Sequence, residues 1–311
     1  MKDRQLVWSN KRVRELSKNF IPVADACDRM QKEACKDADA LIFQKFARQR
    51  TYKKGNRGGA QGHYAVTPSG ELLASSSMGD PKVFAQLMEE ALEKWEAMPK
   101  EKRLLPGTPD PAEAGKWRKV EKLYPEDGLV LRHISRDLEK ARWPDWNLDY
   151  AWFRKEEARQ FVPPELKAGA AHDVPFALME RLARFHLIDN VYGLNYTFFP
   201  DGSVQKARLT VTVEKIEGAK VFLQLEGETR ADTEVPETIG FAPKLLGSAT
   251  WDTENERFTA FEMVAVGNRW GLGNCNLRRD PTPAPMGIVF TLAGDSPAER
   301  LPPVFVSRYE W

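Results

Sequence analysis

The most unusual local feature of this sequence is a basic, glycine-rich stretch. No acidic residue occurs between Lys45 and Gly70, and the segment GNRGGAQG follows a run of cations. Backbone N–H groups and basic side chains of such loops bind anions, so the stretch could hold phosphate, an acidic partner or single-stranded nucleic acid. A solvated loop leading into a strand is the alternative, and no Walker motif follows. The candidate anion-binding residues are Lys53, Lys54 and Arg57.

A second candidate is the aromatic segment ARWPDWNLDYAWF. Aromatic faces beside carboxylates could stack on a sugar or bind a peptide. The alternative is packing, because each aromatic ring buries about 150–250 Å². The candidate ligand-binding residues here are Trp143, Trp146 and Trp152.

A third candidate is the segment NRWGLGNCNLRRD, residues 268–280. Its glycine and asparagine content is typical of an exposed loop, and loops on a rigid β-scaffold often carry binding sites. A long hairpin connection is the alternative. Trp270 and Arg278 are its candidate ligand-binding residues.

The cysteines could do redox chemistry only singly. Cys27, Cys35 and Cys275 form no CxxC pair, and their low, odd number is not a disulfide framework. A reactive cysteine needs nearby positive charge, which Arg29 or Lys32 could provide. Cys27 and Cys35 are therefore the redox candidates, and free buried thiols are the alternative.

Metal and nucleophile motifs are weak. No histidine lies three or four residues from another histidine or from a cysteine, so no zinc signature of histidine and cysteine ligands occurs. There is neither a G-x-S-x-G nor an H-E-x-x-H motif. We therefore expect no metal and no cofactor.

The bulk composition limits the function classes. With 311 residues, 42% of them hydrophobic, the chain is long enough for about two domains. The net charge of +1 does not indicate nucleic acid or an anionic membrane as partner. No apolar run is long enough for a membrane span. The compartment stays open: cytoplasmic as the sequence is written, or exported if a signal peptide has been removed.

The elements that must position these residues begin with an N-terminal α/β pattern. Apolar spacing predicts helices and one buried strand before a hairpin, whose strands a Pro-x-Gly turn connects. Asp80 is expected to cap a helix with Pro81 at its first position. The predicted order is helix 10–18, strand 20–24, helix 39–48, hairpin strands 63–66 and 71–74, and helix 81–97.

The segment VRELSKNFIPVAD resembles the helix and strand of thioredoxin-like proteins, and GHYAVTPSGELLAS resembles their hairpin. The resemblance covers residues 4–98 and implies a CxxC upstream, but residues 4–14 contain no cysteine. The proline before the hairpin is replaced by Ala60 to His63. We therefore expect a truncated thioredoxin-like domain without redox motif at 1–98. Its missing first strand would leave a sheet edge through which two copies could dimerise.

The remaining chain predicts a connecting region and a β-domain. Residues 99–202 are expected to connect the domains, with a strand at 128–134 and helices at 155–162 and 174–187. From about Ser203 the hydrophobic period is two, which predicts five strands in an antiparallel β-sandwich or small β-barrel at 203–311. The predicted fold class is α+β. The chain also resembles bacterial proteins in which a thioredoxin-like domain precedes such a β-domain, which implies an architecture and no chemistry.

The function we expect is that of a non-catalytic binding or interaction protein on a redox-inactive thioredoxin-like scaffold. Its partner would be a small molecule or a protein. A thiol oxidoreductase using Cys27 or Cys35 is one alternative. A hydrolase or lyase with an interdomain cleft is the other, with Asp145 or Asp149 as acid or base. The sequence does not decide whether the protein is an enzyme.

Overall fold

The chain forms two compact units in the computed structural model. The first unit comprises residues 2–119 and the second residues 120–311. The structure describes residues 7–8, 10–23, 27–36, 38–50, 60–77, 80–103, 121–139, 148–192, 198–233, 239–273, 276, 278–296, 299–309 and 311.

The first unit contains short helices, one hairpin and one long helix. Asn10 accepts hydrogen bonds from the first backbone N–H groups of α1, and Asp80 does the same for α4, as predicted from the Asp80-Pro81 pair. The predicted hairpin is confirmed as an antiparallel pair. The elements are α1 (Lys11–Ser17), α2 (Cys27–Met30), α3 (Ala38–Ala47), β1 (His63–Val66), β2 (Leu72–Ser76), α4 (Pro81–Ala97) and α5 (Lys100–Arg103).

The strand predicted at 20–24 is wrong over its described residues. Residues 21–23 pair with no strand, and the side chains of Ile21 and Val23 are 90% and 79% exposed. Pro22, between them, has no N–H to donate to a sheet. The strands described in this unit form a two-stranded sheet, β1–β2, and the apolar residues at 21 and 23 cover neither face of it.

The second unit is built on an eight-stranded antiparallel sheet. The spatial strand order is β4-β3-β10-β9-β8-β7-β6-β5. The five strands predicted after Ser203 are confirmed as β6 to β10, so the fold is α+β with a large antiparallel sheet. The elements are β3 (Leu129–Asp137), β4 (Asp149–Phe153), α6 (Lys155–Arg159), β5 (Ala171–Asp173), α7 (Phe176–Phe185), β6 (Val204–Glu217), β7 (Lys220–Asp232), β8 (Gly240–Asp252), β9 (Arg257–Trp270) and β10 (Ala284–Leu292), with 3-10 turns at Glu121–Leu123 and Val306–Arg308.

Part of the region that we expected to connect two domains belongs to this sheet. β3, β4 and β5 hydrogen-bond into it, and α7 contacts β6 and β7. All five residues of β4 are buried, so this strand lacks the period of two by which strands are found in sequence. For that reason the aromatic segment that contains β4 showed no strand pattern in the sequence.

The two faces of the sheet differ. Alternate residues of β6 to β10 point into one core with the apolar face of α7, whose members include Leu178, Met179 and Leu182. The opposite face, which we call the outer face, carries the intervening residues. The inward and outward positions therefore follow strand periodicity, which is interrupted at the register shifts in β6 and between β8 and β9.

Three glycines allow neighbouring strands to approach closely. A Cβ atom on Gly227, Gly247 or Gly267 would lie 2.2, 2.3 or 2.1 Å from a backbone oxygen of the adjacent strand. Only glycine fits there without a backbone shift, and glycine at such places is one way in which a sheet bends.

Candidate functional site

A cluster of four polar side chains lies in the core of the second unit. His133, Asp149, His186 and Tyr309 are all buried. The Nε2 atom of His133 lies 3.2 Å from Nδ1 of His186, and Nε2 of His186 hydrogen-bonds the hydroxyl of Tyr309. One ligand atom each from His133, Asp149 and His186 lies within 4.8 Å of the others. We call these four residues the buried cluster.

Three parts of the fold position the buried cluster. His133 on β3 and Asp149 on β4 are direct cross-strand partners. His186 is the residue at which α7 ends, and Tyr309 follows the C-terminal 3-10 turn. Both carboxylate oxygens of Asp149 accept from the backbone N–H of Val304, at 3.3 and 3.4 Å. The side chains therefore converge from the sheet edge, a helix end and the C-terminal segment.

Burial keeps the rings of the cluster neutral. Burial lowers the pKa of His133 from its ordinary 6.5 to about 3. Burial, followed by electrostatic interaction with His133 and with the guanidinium of Arg181, lowers the pKa of His186 well below 6.5. Burial raises the pKa of Tyr309 above its ordinary 10.0. At neutral pH each imidazole therefore has one nitrogen with a free lone pair for a hydrogen bond or a metal ion.

Arg181 packs against Tyr309. Its guanidinium lies 4.8 Å from the ring centre of Tyr309 and 4.9 Å from that of Phe153. Two hydrogen bonds of 2.6 and 2.9 Å join it to Glu157, which also accepts from the indole of Trp311. Burial would raise the pKa of Glu157, but the hydrogen bonds and charge of Arg181 lower it overall. The ion pair fixes the C-terminal aromatic residues against the core.

Arg278, a candidate ligand-binding residue, lies in a buried ion network. Its side chain is 3% exposed and donates four hydrogen bonds of 2.6–2.8 Å to Asp137 and Asp189. The ring centre of Tyr192 lies 4.5 Å from the guanidinium, and its hydroxyl donates to Asp137. Burial would raise the pKa of Asp137, but these hydrogen bonds and the charge of Arg278 lower it overall. Arg278 therefore orients two carboxylates rather than facing solvent.

A small pocket lies beside this network and includes Trp270. Its empty volume, counting the open space at its mouth, is ≈ 290 Å³. The lining is mostly apolar, with Asp189 and Asn276 as polar members; the other lining residues are Ile188, Phe198, Phe199, Ile239, Gly240 and Trp270.

The outer face of the sheet carries a row of exposed apolar side chains. Leu246 of β8 pairs with Val264 of β9, which pairs with Val289 of β10. These three side chains, which we call the apolar row, are 57%, 39% and 48% exposed. Val289 pairs in turn with half-buried Ile134 of β3.

The apolar row belongs to a larger exposed apolar patch, which extends one row further along the strands. Val266 and Leu138 are also exposed. A Cβ atom on Gly287 would lie 3.3 Å from Cδ2 of Leu138 and 3.8 Å from Cγ2 of Val266, so these side chains flank Gly287. Exposed charged residues surround the patch: Arg136, Glu226, Lys244 and Glu262.

Of the other predicted site residues, the structure describes Trp152, Asp149, Cys27 and Cys35. Trp152 is fully buried in the core, so its ring does not face solvent. Cys27 and Cys35 are half-buried. Asp149, one of the two proposed acids or bases, belongs to the buried cluster, and the other, Asp145, lies outside the described residues. Lys53, Lys54, Arg57, Trp143, Trp146 and Cys275 lie outside the described residues.

Sequence reasoning did not find the buried cluster because its members are far apart in the chain. His133 and His186 are 53 residues apart, and His186 and Tyr309 are 123 apart. One signal was present: a histidine within the apolar run of β3, with another at the end of the amphipathic helix α7.

Comparison of the chain with protein-family models, with curated proteins and with solved structures gives no match. Among the described residues, no helix has the length and apolar character needed to cross a membrane.

Proposed function

We propose that this protein is a non-catalytic interaction protein whose second unit binds a protein partner on the outer face of its sheet. The observation that carries the proposal is the exposure of the apolar row, Leu246, Val264 and Val289, on three hydrogen-bonded strands. Contiguous exposed apolar patches usually mark interaction surfaces, whereas isolated exposed apolar residues need no explanation.

The arrangement around the row supports a protein as the partner. Protein interfaces have an apolar centre and a polar rim that is accessible to water. Here the centre is built from strands of one rigid sheet, and the rim has charges of both signs, with Arg136 and Lys244 against Glu226 and Glu262. A partner with an apolar centre of its own and mixed charges around it would be complementary.

For the first unit we propose a thioredoxin-like scaffold retained without redox chemistry. The hairpin β1–β2 followed by the capped helix α4 supports this, because both occur where the resemblance places them. The strand expected at 20–24 does not support it. A homodimer through a sheet edge of this unit stays a prediction, as does the closed sandwich or barrel form of the β-domain.

Site-specific photo-crosslinking in the native host tests the proposed interaction. A benzophenone amino acid replaces Val264 or Val289 in the full chain, and the matched control carries it at Gln224. Gln224 is exposed on the same face but outside the apolar row. We expect irradiation to give a discrete heavier adduct from positions 264 and 289, with much less from 224.

A charge introduced into the apolar row should lower the yield of that adduct. Leu246→Asp, combined with the crosslinker at 264, should reduce the yield, because a carboxylate in a desolvated interface costs several kcal/mol unless it is paired. Equal yields at 224 and 264, or no adduct at either row position, would contradict the proposal. An adduct of twice the chain mass would identify the partner as a second copy.

A further inference from the structure

The buried cluster has the donor set of a metal site. Two imidazole nitrogens and a carboxylate are ligands of Zn²⁺ and of other divalent first-row transition metals. Imidazole donors disfavour Mg²⁺ and Ca²⁺, which take oxygen ligands. We propose that His133, Asp149 and His186 bind one divalent transition-metal ion, Zn²⁺ in the first place, inside the second unit.

The spacing of the nitrogens fits this ion. Zn–N bonds of about 2.0–2.1 Å in a tetrahedron place two donor nitrogens about 3.3–3.4 Å apart. The Nε2 atom of His133 and the Nδ1 atom of His186 are 3.2 Å apart. The two rings are almost perpendicular, with an interplanar angle of 78°, so their lone pairs can converge without ring stacking.

The carboxylate is held beside these nitrogens. Its ligand oxygen lies within 4.8 Å of the ligand atoms of both histidines. The direct pairing of His133 with Asp149 across β3 and β4 sets this proximity by sheet register. The N–H of Val304 contacts both oxygens and restricts rotation of the carboxylate.

Tyr309 takes the position of an outer-shell partner. A histidine that binds metal through one nitrogen normally donates its other N–H to an oxygen, which fixes its tautomer and orientation. When His186 binds through Nδ1, its Nε2–H donates to the Tyr309 hydroxyl that it already contacts. Arg181 and Glu157 form a neutral pair beside Tyr309, so they add no net charge.

The charge of the cluster favours a cation. With neutral imidazoles the cluster carries one negative charge when Asp149 is a carboxylate, and a carboxylate in a dry core is costly. A divalent ion offsets that charge.

Metal analysis of the full chain tests this directly. The protein is purified without a metal-affinity step and its metal content is measured. Bound metal is then removed with a chelator, and the metal-free protein is titrated with Zn²⁺ and with Co²⁺. We expect about one metal ion per chain, a rise in Tm on adding Zn²⁺, and the visible absorption of four-coordinate Co²⁺. A folded wild-type chain with no bound metal, no Tm shift and no such absorption would overturn the proposal.

Matched variants locate the site. Tyr309→Phe keeps the ring and removes the hydroxyl, and should weaken Zn²⁺ binding by about 10–100-fold. His133→Gln and Asp149→Asn should abolish the Co²⁺ absorption, whereas His172→Gln, on an edge strand outside the cluster, should leave it unchanged. Equal loss in His133→Gln and His172→Gln would overturn the assignment. If a core variant fails to fold, the metal measurements on the wild-type chain and on Tyr309→Phe decide whether the cluster binds metal.

Discussion

The imidazoles of His133 and His186 touch in the core, with Nε2 of the first 3.2 Å from Nδ1 of the second. A proton on either ring would place a charge in a core from which water is excluded. The contact therefore links the two residues to the pH dependence of stability, with or without a metal ion.

The first prediction concerns acid unfolding of the metal-free protein, prepared by treatment with a chelator. The folded pKa of His133 is about 3 and that of His186 is well below 6.5, so the unfolded chain binds more protons than the folded one. Stability from these rings is complete above pH 6.5 and decreases as the pH falls from there toward 3. Each histidine contributes a slope of at most about 1.4 kcal/mol per pH unit, measured by urea unfolding.

Other groups near the histidines affect the stability in other pH ranges. The lowered pKa of Glu157 adds a loss of stability below about pH 4.5, and the raised pKa of Tyr309 adds one above about pH 10. A free energy of unfolding that does not change between pH 6.5 and 5 would contradict the neutral buried state of the histidines.

The second prediction concerns Arg278. Arg278→Ala leaves the carboxylates of Asp137 and Asp189 buried without their shared guanidinium, and should lower the free energy of unfolding by about 3–5 kcal/mol. Arg278→Lys should recover only part of this loss, because an ammonium cannot donate two parallel pairs of hydrogen bonds.

Arg279→Ala is the control for this position, since the neighbouring Arg279 is exposed. It should change stability by less than about 0.5 kcal/mol. Denaturant unfolding of the three variants decides the matter, and equal effects of Arg278→Ala and Arg279→Ala would show that the buried network contributes nothing.

The third prediction concerns the contact between Gly240 and Trp270. A Cβ atom on Gly240 would lie 2.1 Å from Cζ2 of the indole, so Gly240→Ala must displace Trp270. We expect a cost of about 1–3 kcal/mol by urea unfolding. In a Trp270→Ala background the same substitution should cost much less, because the clash is gone.

Gly287→Ala provides the comparison in a neighbouring part of the sheet. Its nearest contact would be the flexible end of Leu138 at 3.3 Å, so its cost should stay below that of Gly240→Ala. A double-mutant cycle without coupling between positions 240 and 270 would contradict the proposed clash.

The fourth prediction separates an interaction protein from a thiol enzyme. Replacing Cys27, Cys35 and Cys275 with serine should preserve the adduct from position 264 and change Tm by only a few degrees. Loss of the adduct at an unchanged Tm would favour thiol chemistry over the proposed function. Light scattering and circular dichroism of the triple variant serve as controls for aggregation and misfolding.

Local signals predicted several elements correctly. The capping chemistry of Asp80-Pro81 marked the start of α4, and period-two alternation identified β6 to β10. The same signals failed at 20–24, where alternating apolar residues have no sheet to cover, and at β4, where burial on both faces removes the alternation. Apolar alternation identifies a strand that is buried on one face. It misses a strand that is buried on both faces, as β4 is, and it predicted a strand wrongly at residues that are exposed, as 21–23 are.

What the sequence determined by itself was therefore local: the helix start at Asp80, the hairpin, the five C-terminal strands and the exclusion of spaced metal and nucleophile motifs. Tertiary structure decided which side chains meet. Strand order and register place His133 opposite Asp149, and the packing of α7 and the C-terminal turn adds His186 and Tyr309. No local spacing encodes such a meeting, because contacts across a sheet depend on the pairing of segments that lie far apart in the chain.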